Sequence, residues 1–482
     1  MTAIETFLSR AAAEFGPRGF TRDHDLIEPW LTDWRGRYSG RALALASPAS
    51  TEEVATLVRL CLEFGVPIVP QGGNTGMCGG ATPDDTGTSI LLSLRRMNAI
   101  RELDTEARQA VCEAGVILQT LHEAAESHGL RFPLTLGGKG SATIGGLVST
   151  NAGGTQVLRH GTMRAQVVGL EAVMPDGAVF QGLVPLKKDN RGFDLKQLLI
   201  GSEGTLGIVT AARLQLRPAI GGRRVLWTGL DSLQQARRLL LHAEAHASDT
   251  LEGFEVLPRH SLEAVLDHLP DARDPLASPH PWYALVELVA ESGEEGRLDD
   301  QAQTLLETAL DKGLLSDATI SASEAQAEQL WALRDSIAPA ERAIGPAMQH
   351  DISVPVRRMA DFVEAASPAM EHRFPGTRAV AFGHLGDGNI HFHILAPPGA
   401  VRGEWEATEG KAISAAVHDL VTEWDGSISA EHGIGQMKRD ELGRLGDPAA
   451  LAVMRQVKRA LDPQDLFNPG KLVPLASAAP TA

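Results

Sequence analysis

Cysteine and tyrosine are both scarce: the 482 residues hold three of the first and two of the second. Three thiols, Cys61, Cys78 and Cys112, make no disulfide framework for a chain of this length, and they point to a reducing, cytoplasmic setting. Tyr38 and Tyr283 lie in no recognisable motif, so tyrosine is a poor source of a catalytic base. No run approaches the ~18 apolar residues that span a bilayer. Positive charge is short as well: 44 Lys and Arg against 61 Asp and Glu give a formal charge of −17. That balance repels phosphates and excludes nucleic acid as a partner. An anionic substrate must therefore meet placed cations, because the global field does not draw it in. The N-terminal MTAIETFLSRAAAEFG carries Glu5 and Glu14, lacks a signal peptide's apolar centre and reads as an amphipathic helix.

The usual nucleotide fingerprints are missing too. GGKGS has neither the spacing nor the Lys-Ser/Thr of an NTPase phosphate loop, and no G-x-G-x-x-G joins an early strand to a helix. What is present is glycine in clusters: QGGNTGMCGG, LGGKGSATIGGLVSTNAGG and GSEGTLG, all between Pro70 and Gly207. Short apolar stretches such as VPIVP, SILLSL and VVGLEAVM accompany them, a pattern of strands and tight loops. VMPDGAVF reads as a hairpin turning on Asp176-Gly177, and TEEVATLVRLCLEFG as a helix capped by Thr51 and stopped by Gly65.

After about residue 220 the texture changes. LDSLQQARRLLLHAEAHA, DDQAQTLLETALDKG and SEAQAEQLWALRDSIAPAERA have helical spacing; WYALVELVA, DISVPV and AVAFGHLGDGNIHFHIL read as strands. The expected fold is α+β, with a glycine-rich domain over residues 1–220. An antiparallel-sheet α+β domain, helices on one face, follows over 221–403, and a helical segment over 404–482 returns to the first domain. The chain ends in a small Ala/Pro tail.

Glycine takes positive φ and lets backbone N–H groups approach an anion closely. Gly72-Gly73-Asn74-Thr75-Gly76, directly after VPIVP, is suited to a pyrophosphate. PQGGNTG, GSATIGGLVSTNAGG, GSEGTLGIVT and the terminal LFNPGK resemble the vanillyl-alcohol-oxidase type of FAD-binding fold, and within it the D-2-hydroxyacid dehydrogenase branch. The resemblance covers roughly residues 40 to 475. It implies that Gly72, Gly73, Asn74, Thr75 and Gly76 cradle the FAD pyrophosphate. Ser141, Thr143, Gly145, Asn151, Gly153 and Gly154 then line the cofactor, and Glu203, Ile208 and Asn468 complete its binding. Covalent members of the superfamily often carry His where this chain has Asn74, and RFPLTLGG lacks their second attachment point, a Cys. Asn offers no nucleophile to the flavin, so FAD is expected to be bound noncovalently.

A second constellation is GHLGDGNIHFHIL, followed about forty residues later by ISAEHGIG. His384 and His391 flank one turn, and Glu431 and His432 arrive from another segment. Two His and one carboxylate leave open positions on a divalent ion, the mark of a catalytic metal site. The resemblance implies the ligands His384, His391 and Glu431, commonly on zinc, with Asn389 and His432 facing the substrate. His393 shares a strand face with His391 and is a weaker fourth candidate. Oxidising a 2-hydroxy acid moves a hydride from C2 to flavin N5 and the hydroxyl proton to a base. A metal on that oxygen eases the proton's departure, and His432, beside Glu431, is the chosen base.

For the substrate carboxylate the resemblance implies Arg334. Dicarboxylate-using relatives usually carry Lys where this chain has Gln349, and commonly Thr where it has Ala338. A buried carboxylate among neutral partners is costly. A monocarboxylic D-2-hydroxy acid, D-lactate-like or apolar-tailed, is therefore as plausible as D-2-hydroxyglutarate or D-malate, unless Arg342 or His350 supplies the missing cation. The family's electron acceptors are a quinone, a cytochrome or an electron-transfer flavoprotein, and no motif selects one. A homodimer is compatible with the sequence. Two other readings stay open: an FAD-binding subunit of a glycolate-oxidase-like complex, and a metal-dependent hydrolase in which the glycine-rich half has no task.

Overall fold

A computed structural model describes residues 2–186 and 188–474, so the Ala/Pro tail lies outside the described residues. The chain divides into two compact units. Unit 1 comprises Met1–Gly154, Gly161–Arg217 and Glu431–Ala482; unit 2 comprises Thr155–His160 and Pro218–Ala430. Residues 404–430, assigned from the sequence to the returning segment, thus lie in unit 2, and the return begins at Glu431.

Unit 1 is built on two sheets. The helix Thr51–Phe64 buries Val54, Leu57, Val58 and Cys61, the three-and-four spacing of one helical face. Its cap is Ser50, whose hydroxyl accepts from Glu53 N at 3.2 Å, not Thr51 as the sequence suggested. Thr51 instead donates to buried Glu171 at 2.7 Å. Gly65, at φ 65°, ends the helix as expected. The chain then enters Ile68–Gln71 of a four-stranded sheet, in the order Phe20–Thr21, Leu45–Ala46, Ile90–Ser93, Ile68–Gln71. The second sheet, antiparallel throughout, runs Ile100–Asp104, Gln109–Glu113, Ile208–Gln215, Val167–Val173, Val179–Gly182. Its last two strands form the hairpin read from VMPDGAVF, with Val173 opposite Val179 and Gly177 at φ 79°. The helix Ile144–Thr150 packs Ile144, Leu147 and Val148 into one core with Leu170, Ala212 and Leu214 of this sheet.

The terminal DPQDLFNPGK pairs with the open edge of Ile68–Gln71: Ile68 N donates to Leu466 O and Asn468 N to Ile68 O, each at 2.8 Å. Buried Lys458 fixes this turn. Its ammonium donates to Asp462 at 2.6 Å, Phe467 O at 2.9 Å and Thr205 O at 3.0 Å, which uses all three protons.

Unit 2 is one antiparallel sheet of seven strands. Their order is Asp317–Ile320, Ile220–Leu230, Trp282–Glu291, Leu251–Pro258, Arg378–His384, Asn389–Leu395, Ala347–Ser353. Helices Arg259–His268, Glu324–Asp335 and Ile337–Ile344 cover one face, packing Leu262, Leu330 and Ile337 on Trp227, Tyr283 and Phe382. Other helices cover the opposite face: Phe362 of Met359–Arg373 meets Phe392 at 5.8 Å between ring centroids, and Ser414 of Glu404–Glu423 meets His350. Helices on one face were expected. Both faces carry them, and the central strand Trp282–Glu291 is buried along both of its sides.

Candidate functional site

In unit 1 the predicted cofactor loops come together. Gly72 and Gly73 leave the strand Ile68–Gln71 and run against the next glycine loop. A β-carbon on Gly72 would stand 2.4 Å from Thr143 Oγ1, and one on Gly73 1.8 Å from Ser141 O. Only glycine permits that approach. Thr143 caps the helix Ile144–Thr150, and Gly145 within it lies too close to Ala114 for any side chain, 2.7 Å to its Cβ. Asn74 and Asn151 take positive φ, 52° and 51°; Asn74 donates to Thr32 O at 2.8 Å and Asn151 accepts from Arg164 N at 2.9 Å. Thr75 and Gly76 complete the first loop, and Gly76 has open space where a side chain would be. Gly154 abuts Thr135 O, Gly153 is buried, and Ile208 opens the central strand of the second sheet. Asn468, at φ 45°, donates to Gly80 O at 2.9 Å and to Glu203 O at 2.8 Å. Its own buried Oδ1 has no partner among the described residues. A cradle that side chains would fill, with a buried polar atom left over, fits an extended polar cofactor.

Glu203 has a further task. Its carboxylate accepts from Ile434 N and Gly435 N, each at 2.7 Å. Burial pushes its carboxyl above the usual range, and those two N–H bonds and Lys438 pull it back. From the other side Cys78 Sγ donates to Gly433 O at 3.2 Å, while Gln436 N donates to Cys78 O at 3.1 Å. A β-carbon on Gly433 would reach 2.8 Å from Glu203, and one on Gly435 2.2 Å from Cys78 O. The segment directly after Glu431 and His432 is thus clamped between two of the glycine loops.

Unit 2 holds the histidines. The strands Arg378–His384 and Asn389–Leu395 pair around a turn that needs glycine: Gly388 has φ 80°, and a β-carbon there would lie 2.2 Å from Val354 O. The strand pleat puts His384, His391 and His393 on one face. Ring centroids lie 5.4 Å apart from His384 to His391 and 6.4 Å from His391 to His393. Glu255, from the strand Leu251–Pro258, accepts from His384 Nδ1 and from Arg334 Nε, the latter at 2.8 Å. Arg334 Nη2 lies 3.4 Å from His384 Nε2. Burial alone would raise the Glu255 carboxyl, but Arg334 and His384 outweigh it and hold it at about 2. His391 goes the other way: burial first, then Arg334 and His384, push its imidazole well below the ordinary value and keep it neutral. Asn389 donates to Asp351 at 2.8 Å and Ile352 O at 3.0 Å, and its buried Oδ1 has no partner among the described residues.

Two rescue cations named from the sequence find other places. His350 stands on the opposite face of its strand from Gln349, its ring spanning Phe392 O and Ser414 Oγ. Arg342 is exposed. Glu255 and Glu341 were not foreseen. Each had a signal: Glu255 is the lone acid in the apolar GFEVL, and Glu341 falls on the inner face of its helix with Ile337 and Ala340.

Residues 222–472 match the family described as FAD linked oxidases, C-terminal domain, and residues 42–182 match the FAD binding domain. The mitochondrial D-2-hydroxyglutarate dehydrogenase of Bos taurus is 38% identical over 94% of this chain and 80% of its own length. The D-2-hydroxyglutarate dehydrogenase of Xanthomonas citri pv. viticola is 37% identical over 92% of each. Among solved structures, p-cresol methylhydroxylase superposes with a TM-score of 0.77 at 16% identity, covering 99% of this chain and 98% of that one. At such identity the likeness speaks for the fold alone, an FAD-binding α+β architecture of the vanillyl-alcohol-oxidase type.

Proposed function

This chain belongs to the family of FAD-linked oxidases and is an FAD-dependent dehydrogenase, and from that premise we propose that it oxidises a D-2-hydroxy acid to the 2-oxo acid with noncovalent FAD and a divalent metal. The observation that carries the metal is the orientation of His384. Its Nδ1 is turned to a fully buried carboxylate, the arrangement common to histidines on metals; Nε2, with Arg334 Nη2 at 3.4 Å in this structure, is the atom proposed to ligate. His391, kept neutral by burial, also has a lone pair to give. Glu431, the third ligand the sequence resemblance implies, would add an oxygen to these two nitrogens, a set that suits zinc, and manganese or iron as well.

The residues divide the work. Gly72 to Gly76, Ser141, Thr143, Gly145, Asn151, Gly153, Gly154, Ile208 and Asn468 hold FAD, and Asn74 gives it no covalent anchor. Bound FAD supplies the two-electron acceptor for the C2 hydrogen, and a bound metal supplies Lewis acidity toward the hydroxyl oxygen. Arg334 binds the carboxylate, its charge partly balanced and its geometry fixed by Glu255. Asn389 presents its unpartnered Oδ1 to the substrate. His432 takes the hydroxyl proton at an imidazole nitrogen. All three thiols are buried.

Anaerobic bleaching of the flavin tests the reading. D-lactate, longer D-2-hydroxy acids, D-malate and D-2-hydroxyglutarate are compared, each with its L-enantiomer. Bleaching by at least one D-acid and none of the L-forms is expected, and His432→Ala should keep its flavin but not bleach. A flavin that no D-2-hydroxy acid reduces removes the proposal; near-normal bleaching by the variant removes His432 as the base.

A further inference from the structure

Beyond His391 the histidine row continues to a second buried carboxylate–histidine pair, to which the proposed reaction gives no part. His393 Nδ1 and Glu341 Oε2 are 2.5 Å apart, with His393 5% and Glu341 2% exposed. Glu341 Oε1 is buried without a partner among the described residues, an unfavourable state that a donor on a ligand would relieve. The row therefore has two unlike ends. Helix Glu324–Asp335 brings the cation Arg334 to His384, and helix Ile337–Ile344 brings the anion Glu341 to His393. Phe382 packs on both His391 and His393, at 5.1 Å between ring centroids in each case, and makes the row continuous.

Neighbouring residues add no cation at the second end. Gln349 is the cross-strand partner of His393 on one side and Val380 on the other. Ala338 lies on the same helix as Glu341, and Arg378 stands at the exposed start of its strand. A second substrate carboxylate there would meet the Glu341 carboxylate, an imidazole already turned to that carboxylate, and the neutral amide of Gln349, a poor exchange for its hydration.

We propose that the His393–Glu341 pair determines specificity for the far end of the substrate, selecting D-2-hydroxy acids that end in an uncharged hydrogen-bond donor, such as a carboxamide, over those that end in a carboxylate. This rests on the reading of the chain as a D-2-hydroxy acid dehydrogenase. Arg334 takes the first carboxylate at one end of the row, and the unpartnered Glu341 oxygen takes an N–H or O–H at the other.

The test compares two nearly isosteric acids on the FAD-loaded enzyme, D-2-hydroxyglutarate and its 5-carboxamide. The amide should have kcat/KM at least ~10-fold above the diacid. Glu341→Gln keeps the size of the side chain and an acceptor for His393, and should shrink that ratio by ~10-fold. Gln349→Lys, which leaves the buried pair intact, should shift it the same way and serves if Glu341→Gln does not fold. A wild-type preference for the diacid, or a ratio unmoved in a folded variant, overturns the inference while the broader activity stands. If neither acid nor any other D-2-hydroxy acid bleaches the flavin, the broader reading falls and this one with it.

Discussion

Two glutamates on neighbouring strands of one sheet, both buried, show how far a side chain's chemistry is set by its partners. Glu255 meets Arg334 and His384 and is held at about 2. Glu287 meets the charge of Glu252, which adds to burial and lifts it to about 7 against the help of Trp331 and Arg223. Trp331 Nε1 donates to it at 2.9 Å, and Arg223 reaches it at 3.3 Å. Because the folded value lies above the unfolded one, Glu287 contributes stability below about pH 4.3 that is lost as the pH rises through 7. Glu287→Gln removes this slope, so the variant should gain on the wild type between pH 5 and 8 by up to ~3 kcal/mol, an upper bound for a buried group. Urea unfolding of both proteins at several pH values measures it. Parallel curves would mean that Glu287 is charged throughout.

Elements were legible where periodicity or a turn signal was strong. The helix Thr51–Phe64, the Asp176-Gly177 hairpin and the strands around GHLGDGN all fall where the residues placed them. Caps were less so: Ser50 and Thr51 have equivalent hydroxyls, and the choice came from distant Glu171, which takes Thr51. Contacts made across hundreds of residues left no local trace at all. Glu203 stands in a glycine loop and from the sequence was expected to complete cofactor binding, yet its carboxylate holds the backbone of Ile434 and Gly435. In Glu203→Gln an amide group faces one of those N–H donors and cannot accept from it. Asn468 still reaches the Glu203 carbonyl, so flavin content should stay near one per chain. The loop that carries His432 loosens, and bleaching by substrate should slow by ~10- to 100-fold. Flavin absorbance per chain and the bleaching rate, measured together, separate the two roles. Parallel loss of both would make Glu203 a cofactor residue after all.

For the whole molecule, the division of labour follows the division of the chain except at the proposed ligand Glu431. Every residue proposed to hold FAD lies in unit 1, while His384, His391 and the Glu255 behind them lie in unit 2; the third proposed ligand, Glu431, is the first residue of the last segment of unit 1. No helix among the described residues is long and apolar enough to cross a membrane. The glycine motifs revealed the first unit because an anion cradle needs glycine at fixed positions in the sequence. The second was harder to read, since its key carboxylates act across strands and their spacing carries no motif. No residue is proposed for both the metal and the flavin, so the two should be independently removable. Dialysis against a chelator should leave the flavin spectrum and stoichiometry unchanged, because Gly72, Gly73 and their neighbours keep their packing without the ion. Bleaching by a D-2-hydroxy acid should fall by several orders of magnitude, as expected when an alcohol proton must leave without a Lewis acid. Adding back zinc or manganese should restore it, and whichever ion does so at the lower concentration is the better match to two imidazoles and a carboxylate. Full bleaching after verified removal of all divalent metal would sink the metal assignment. It would then leave His384 as a positioning partner of Glu255 and Arg334 rather than a ligand.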